Sequence, residues 1–156
     1  MEDDLSYTAK GTQSELPHER IQAQRFNKTR AAQSRAVIED YVELIADLLG
    51  AEGEARITDV ASRLGVSHPT AIKTISRLKR DGLASGRPYR GVFLTDEGRK
   101  LAKRVKARHR IVVDGLIALG VPRETAEVDA EGIEHHVSDK TLEAFARVVR
   151  NATRRP

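Results

Sequence analysis

The segment VASRLGVSHPTAIKTISRL, residues 60–78, constrains the fold more than any other part of the chain. It holds two short apolar-periodic stretches, with the small residue Ala61 four positions before Gly65. A small side chain there lets two helices approach closely, and a glycine lets the chain turn sharply between them. Ser67 can cap the second of these helices, with Pro69 in its tolerant first turn and Gly82 at its end. Ala71, Ile75 and Leu78 then face inward. Ser67, Thr70, Lys73, Thr74 and Arg77 are left on the outer side.

The flanking sequence completes the arrangement. In AVIEDYVELIADLLG the residues Val37, Ile38, Tyr41, Val42, Ile45, Leu48 and Leu49 follow the spacing of a buried helical stripe, which Gly50 and Gly53 end. TDVASRLG reads as a short helix with Thr58 as N-cap and Gly65 as stop. LASGRPYRGVFLT reads as two short strands around a Gly-Arg-Pro turn. Three helices followed by one hairpin make a winged helix-turn-helix. Thr95, with Asp96 and Glu97 behind it, opens a long helix that runs to Leu119 and stops at Gly120, Val121 and Pro122. Residues 123–136 make a further helix. Ser138 starts a last one, with Leu142, Phe145, Val148 and Val149 as its apolar face.

The fold expected is therefore mainly α. Residues 1–30 form a disordered or loosely ordered extension, 31–106 the winged helix-turn-helix domain, and 107–156 a helical second domain. The boundary falls inside the long helix, so the two halves are joined rigidly. The absence of cysteine excludes disulfide scaffolds and thiolate metal sites. No apolar run reaches the ~18–20 residues of a membrane span, and the acidic N-terminus is unlike a signal peptide. These features predict a soluble cytoplasmic protein with no membrane partner.

Charge is unevenly distributed. Residues 36–66 hold seven acids against two bases, residues 67–110 thirteen bases against three acids, and residues 111–149 eight acids against three bases. A central block that basic predicts a polyanion partner. On the outer face of the third helix, hydroxyls suit phosphates and long cations can reach guanine edges, so double-stranded DNA is the expected ligand. Arg87 and Arg90 at the hairpin tip can grip the backbone or minor groove. His68 and Pro69, at the start of the third helix, fall within the same contact surface.

A second cluster lies in DAEGIEHHVSD, residues 129–139, which places Glu131, Glu134, His135 and His136 within six residues. On a helix Glu131, Glu134 and His135 share a face, while His136 turns about 100° away into a supporting role, bonded in the interior or behind the ligands. Asp40 and Glu43 on the first helix form a matching acidic pair, and His109 stands where the basic run ends. Each piece alone is more often a solvated face than a site. Together, if three helices converge, they offer six nitrogen and oxygen donors. No pair of histidines has zinc-protease spacing, no two Glu-x-x-His pairs suit a diiron bundle, and no Ser/His/Asp grouping can be assembled. An enzyme with a small-molecule substrate is not expected. Oxygen-rich donors with two imidazoles and no sulfur suit Mn²⁺ or Fe²⁺, and would also hold Co²⁺ or Zn²⁺.

From about Ile38 to Phe145 the chain resembles the manganese transport regulators, the manganese-responsive branch of the diphtheria toxin repressor superfamily. DYVELI, VSHPTAIKTISRL, YRGVFLTDEGRKLAKR, RH at 108–109 and DAEGIEHHVS resemble family segments in family order. The resemblance implies two Mn²⁺ ions per subunit, held by Asp40, Glu43, His109, Glu131, Glu134 and His135. It also implies a homodimeric repressor of manganese uptake genes, with the second domain supplying metal binding and dimerisation. Iron-responsive relatives carry Met and Cys where this chain has Asp40 and Glu131, and harder oxygen donors favour manganese. A regulator of the same build answering to Fe²⁺ or Zn²⁺ is the main alternative. A metal-binding helical enzyme or storage protein is a more distant one.

Overall fold

A computed structural model describes residues 16–86 and 90–154. Helix α1 (Glu19–Glu52) is followed by α2 (Ile57–Leu64), α3 (His68–Arg80), strands β1 (Ala84–Gly86) and β2 (Val92–Leu94), then α4 (Asp96–Ala118), α5 (Arg123–Ile133) and α6 (Asp139–Thr153). The start of α1 differs from expectation. Residues 19–30, read as loosely ordered, are helical and continue straight into the amphipathic stretch. Alternation of apolar residues could not reveal this part, because between residues 16 and 37 only Ala32 is buried. The first fifteen residues of the expected extension lie outside the described residues.

Gly53, left-handed at φ 74°, ends α1, whereas Gly50 lies inside the helix; of the turn signals that follow, one differs from expectation. Gly65 adopts a left-handed φ of 65°, and Val66 N–H donates to the carbonyl of Ala61 at 3.0 Å. That closes α2 and launches α3, whose cap Ser67 accepts from Thr70 N–H at 3.3 Å. Thr95 and Ser138 cap α4 and α6 in the same way, accepting from Gly98 and Thr141 N–H at 3.1 and 3.3 Å. Thr58 is the exception. The cap position falls at Arg56 with no side-chain bond, and Thr58 lies inside α2.

Two apolar clusters organise these elements. The larger joins Val42, Ile45 and Leu48 of α1 to Val60 of α2, Ala71, Ile75 and Leu78 of α3, Val92 and Leu94 of β2, and Ala102 of α4. The antiparallel hairpin pairs Ala84 with Leu94, and it is anchored to the first loop by Val92 N–H donating to Ala55 O at 2.8 Å. The smaller cluster gathers Val112 and Val113 of α4 with Ala126 and Ala130 of α5, covered by Leu142 and Phe145 of α6. Helix α4 contributes to both, so it is the beam between the two halves. Helix α1 packs along it and reaches α5's end at the level of Glu39 and Asp40.

Candidate metal centre and nucleic-acid interface

Helix α5 ends at Ile133, three residues before the expected Glu-His-His end, and Glu134 to His136 form a turn. Glu134 keeps helical dihedrals as the cap residue, so its side chain still follows the face of Glu131. Glu134 is fully buried, and both of its oxygens meet imidazoles. Its Oε2 lies 2.6 Å from His109 Nδ1, and its Oε1 lies 3.4 Å from His135 Nε2. Asp40 Oδ1 approaches the same His135 Nε2 at 3.1 Å, and Glu131 Oε1 stands 3.8 Å from His109 Nδ1. One donor atom each from His109, Glu131 and Glu134 falls within 4.8 Å of the others. Glu43 borders this group, where the negative charge of Glu131 bears on it. Asp40, Glu43, His109, Glu131, Glu134 and His135 are thus brought together from α1, α4 and the end of α5.

His136 is not. It is exposed, makes no side-chain hydrogen bond among the described residues, and borders a cleft with Arg25, Lys28 and Arg35 of α1. It sits in the turn that follows α5, on its outer side instead of behind the site.

Three residues that carry the geometry went unread in the sequence. Glu39 Oε2 accepts from His135 Nδ1 at 2.7 Å and also from Arg108 Nη2. Glu127 Oε2 sits 3.3 Å from His109 Nε2. Each imidazole therefore turns one nitrogen to an outer carboxylate and the other to the cluster, the arrangement that orients metal-binding histidines. Spacing held a partial clue: Glu127 lies one turn before Glu131 on α5. Glu39 sits between two apolar contacts of α1, Ile38 and Tyr41, and gave none.

The charges are strained by burial. Burial pushes the Glu134 carboxyl up to about 7, against the pull of His109 and His135. Glu43 is raised by burial and by Glu131. Contact with Asp40 and Glu39 pushes His135 up to about 10. Burial opposes charge on His109, but Glu127 and Glu134 outweigh it and raise its pKa. Burial likewise opposes charge on Glu39, yet His135 and Arg108 lower its pKa. Glu134 Oε1 and His135 Nε2 are both buried without a hydrogen-bond partner among the described residues. A buried carboxylate oxygen without a hydrogen bond, beside an imidazole nitrogen that also faces Asp40, is a state a cation relieves. The residues fit a divalent metal.

On the other half, Ser67, His68, Pro69, Thr70, Lys73 and Arg77 are exposed along one side of α3, and Thr74 is half-buried beside them. Arg77 carries only an exposed pair to Asp81 at 3.6 Å. Arg90 is exposed at the hairpin, whereas Arg87 lies outside the described residues. Ala71, Ile75 and Leu78 are buried on the opposite face, as the period required.

Two family models match the chain, one over each part. Residues 35–92 match the N-terminal DNA-binding domain of iron-dependent repressors, and residues 95–156 match their metal-binding and dimerisation domain. The transcriptional regulator MntR of Escherichia coli O157:H7 is 52% identical over 132 residues, 85% of each chain. The chain belongs to the manganese transport regulators of the diphtheria toxin repressor superfamily. The superfamily consists of transcriptional regulators, not enzymes. The HTH-type regulator MntR of Bacillus subtilis strain 168 is 37% identical, covering 72% of this chain and 79% of its own. Among solved structures, a manganese-dependent transcriptional repressor in complex with manganese is 31% identical with a TM-score of 0.60, covering 70% of this chain. The manganese regulator SloR is 26% identical with a TM-score of 0.64, covering 72%. The chain spans about half the length of these two solved chains, 51% and 53%. Among the described residues no helix is long and apolar enough to cross a membrane.

Proposed function

We propose that this protein is a Mn²⁺-responsive repressor that binds operator DNA as a homodimer in the cytoplasm and silences manganese uptake genes when the metal is plentiful. The observation that carries this reading is the convergence of nitrogen and oxygen donors from α1, α4 and the end of α5 around Glu134, whose buried Oε1 has no hydrogen-bond partner among the described residues. Asp40, Glu43, His109, Glu131, Glu134 and His135 would hold the ion. Glu134 turns its two oxygens to two different imidazoles, and with six donor residues the site would have ligands enough for two ions per subunit.

Bound Mn²⁺ would supply the positive charge that lets four carboxylates stay ionised side by side. The chain's own residues do the rest. Asp40 and Glu43 sit on the helix that forms the core of the DNA-binding half, and His109 sits on the beam α4. Glu131, Glu134 and His135 belong to the second half. Drawing these donors together fixes α1 against α4 and α5, and so fixes the freedom of the two recognition helices in a dimer. A single winged helix reads one half-site, and a two-fold operator needs two. Favouring the DNA-competent state by about 1–3 kcal/mol is enough for a useful switch. Exposed Ser67, His68, Pro69, Thr70, Lys73, Thr74 and Arg77, with Arg87 and Arg90 of the hairpin, are the proposed DNA contacts.

Fluorescence anisotropy on a labelled manganese-transporter promoter fragment, with Mn²⁺, Fe²⁺, Zn²⁺ or chelator, tests the reading. Wild type is expected to bind tightly only with metal, best with Mn²⁺ at physiological concentrations, and Glu131→Ala to lose the response. Equal affinity with metal and chelator refutes the switch. A response confined to Fe²⁺ or Zn²⁺ moves the same architecture to another effector.

A further inference from the structure

Helix α1 changes character abruptly along its length. Residues 20–38 carry five cations (Arg20, Arg25, Lys28, Arg30 and Arg35) and no acid, whereas residues 39–54 carry six acids and no base. The acidic half is packed into the core and metal centre. The basic half runs on as a spur with only Ala32 buried; Arg25, Lys28 and Arg35 line an open cleft with His135 and His136, and Ile21 and Phe26 are 48% and 58% exposed. Nothing local explains why such a spur is helical. It lacks the Glu-to-Lys pairs that steady solvent-exposed helices, and Arg25 and Lys28 are like charges one turn apart. Among the described residues none of its five cations pairs with a carboxylate. A helix of this length is marginal alone in water. The spur is nonetheless the direct continuation of the helix that forms the core of the DNA-binding domain.

We propose that the spur, residues 19–36, is a second DNA contact: a basic helical arm that binds backbone phosphates flanking the site read by α3. Charge complementarity selects this partner. A phosphate backbone offers dense, sequence-independent negative charge along a line, which suits cations on several sides of a helix better than a single counter-carboxylate would. This inference rests on the DNA-binding part of the reading above, and not on its metal part.

The test is the salt dependence of binding to operator and to scrambled duplex, for the full chain with Mn²⁺ present, comparing wild type with the variant Arg20→Gln, Arg25→Gln, Lys28→Gln and Arg30→Gln together. Each lost phosphate contact makes the log–log salt slope shallower by about 0.9, so the variant is expected to be shallower by about 2 to 4. Its affinity for both duplexes is expected to fall by the same factor, leaving their ratio unchanged. An unchanged slope overturns the proposal. So does a variant whose DNA slope is intact but whose dimer dissociates in sedimentation, because the spur then pairs with a second copy. Wild type that binds DNA without regard to metal would refute the switch while leaving the slope comparison valid.

Discussion

One carboxylate oxygen of Glu39 accepts from His135 Nδ1 at 2.7 Å and from the Arg108 guanidinium, and this decides which face His135 shows the site. With Nδ1 committed to Glu39, Nε2 is the nitrogen that faces Asp40 and Glu134, and its proton is the one a metal would displace. Arg108 keeps Glu39 ionised, so that it orients the ring and does not take its proton. Glu39→Gln keeps the size of the side chain but removes the charge. We expect Mn²⁺ affinity measured by calorimetry to fall about 10-fold or more, the usual range for outer partners of a ligating histidine. Affinity equal to wild type would show that the ring is oriented by packing alone. The pH dependence follows from the same residues. His135 is raised to about 10 and Glu134 to about 7, and both protons must leave for the donors to bind metal. Apparent Mn²⁺ affinity therefore rises with pH between about 6 and 8. Metal-free stability runs the other way. A group whose folded pKa is raised stabilises most below its unfolded value, and that contribution is lost as pH passes the folded value. Glu134 loses its share between its ordinary range and about 7, and His135 between about 6.5 and about 10. Glu39, whose pKa is lowered, titrates below this window. Thermal melts without metal should fall from pH 6 to pH 9 while the increment due to Mn²⁺ grows. A metal-free Tm that climbs over that range contradicts this assignment.

Where elements meet, two glycines of α4 set the distances. A Cβ on Gly98 would sit 2.0 Å from the carbonyl oxygen of Leu83, and one on Gly115 would sit 2.5 Å from the Phe145 ring. The first obstacle is backbone, held by Thr95 N–H donating to that same carbonyl at 3.1 Å, so it cannot give. Gly98→Ala is expected to destabilise by about 1–3 kcal/mol or more, read as a lower urea midpoint at constant slope. Gly115→Ala should cost less, because the aromatic ring of α6 can shift. Equal midpoints for Gly98→Ala and wild type would mean that α4 does not press on the hairpin as described. Neither contact could be read in the sequence, since both join residues far apart in the chain. What was legible had local chemistry behind it. Ser67, Thr95 and Ser138 announced three helix starts through hydroxyls placed three residues before a free N–H, and Gly65 announced a turn. The donors of the proposed metal centre were legible by type and period, because carboxylates and imidazoles at helical spacing are few. The start of α1 was not, since residues 19–30 bury nothing and so leave no apolar rhythm. Thr58 misled because the true cap position, Arg56, lacks a capping side chain. Glu39 and Arg108 went unread because a partly buried ion pair between two helices depends on how those helices cross.

At the scale of the whole molecule, the two chemistries share a frame but no side chains. The proposed reading face lies on α3 and the hairpin, while the proposed donor cluster lies on α1, α4 and the end of α5. The link is mechanical: Asp40 and Glu43 belong to the same helix as Val42, Ile45 and Leu48, which pack in one cluster with Ala71, Ile75 and Leu78 of α3. Substitutions on the two faces should therefore separate cleanly. Lys73→Ala and Arg77→Ala remove exposed cations whose only ion pair among the described residues is the surface contact of Arg77 with Asp81, so neither should disturb folding or Mn²⁺ titration. If either cation reaches a base edge, its loss weakens operator binding by about 1–3 kcal/mol and relaxes specificity at one position. If it reaches a phosphate, binding weakens alike on all sequences and the salt slope falls by about 0.9. Glu131→Ala should do the opposite, lowering Mn²⁺ affinity while the residual binding to non-operator DNA at low salt stays at the wild-type level. Calorimetry and anisotropy on the three variants together decide the matter. A Lys73 or Arg77 substitution that also lowers Mn²⁺ affinity in the absence of DNA would mean that α3 and the metal centre are coupled through more than the core of α1.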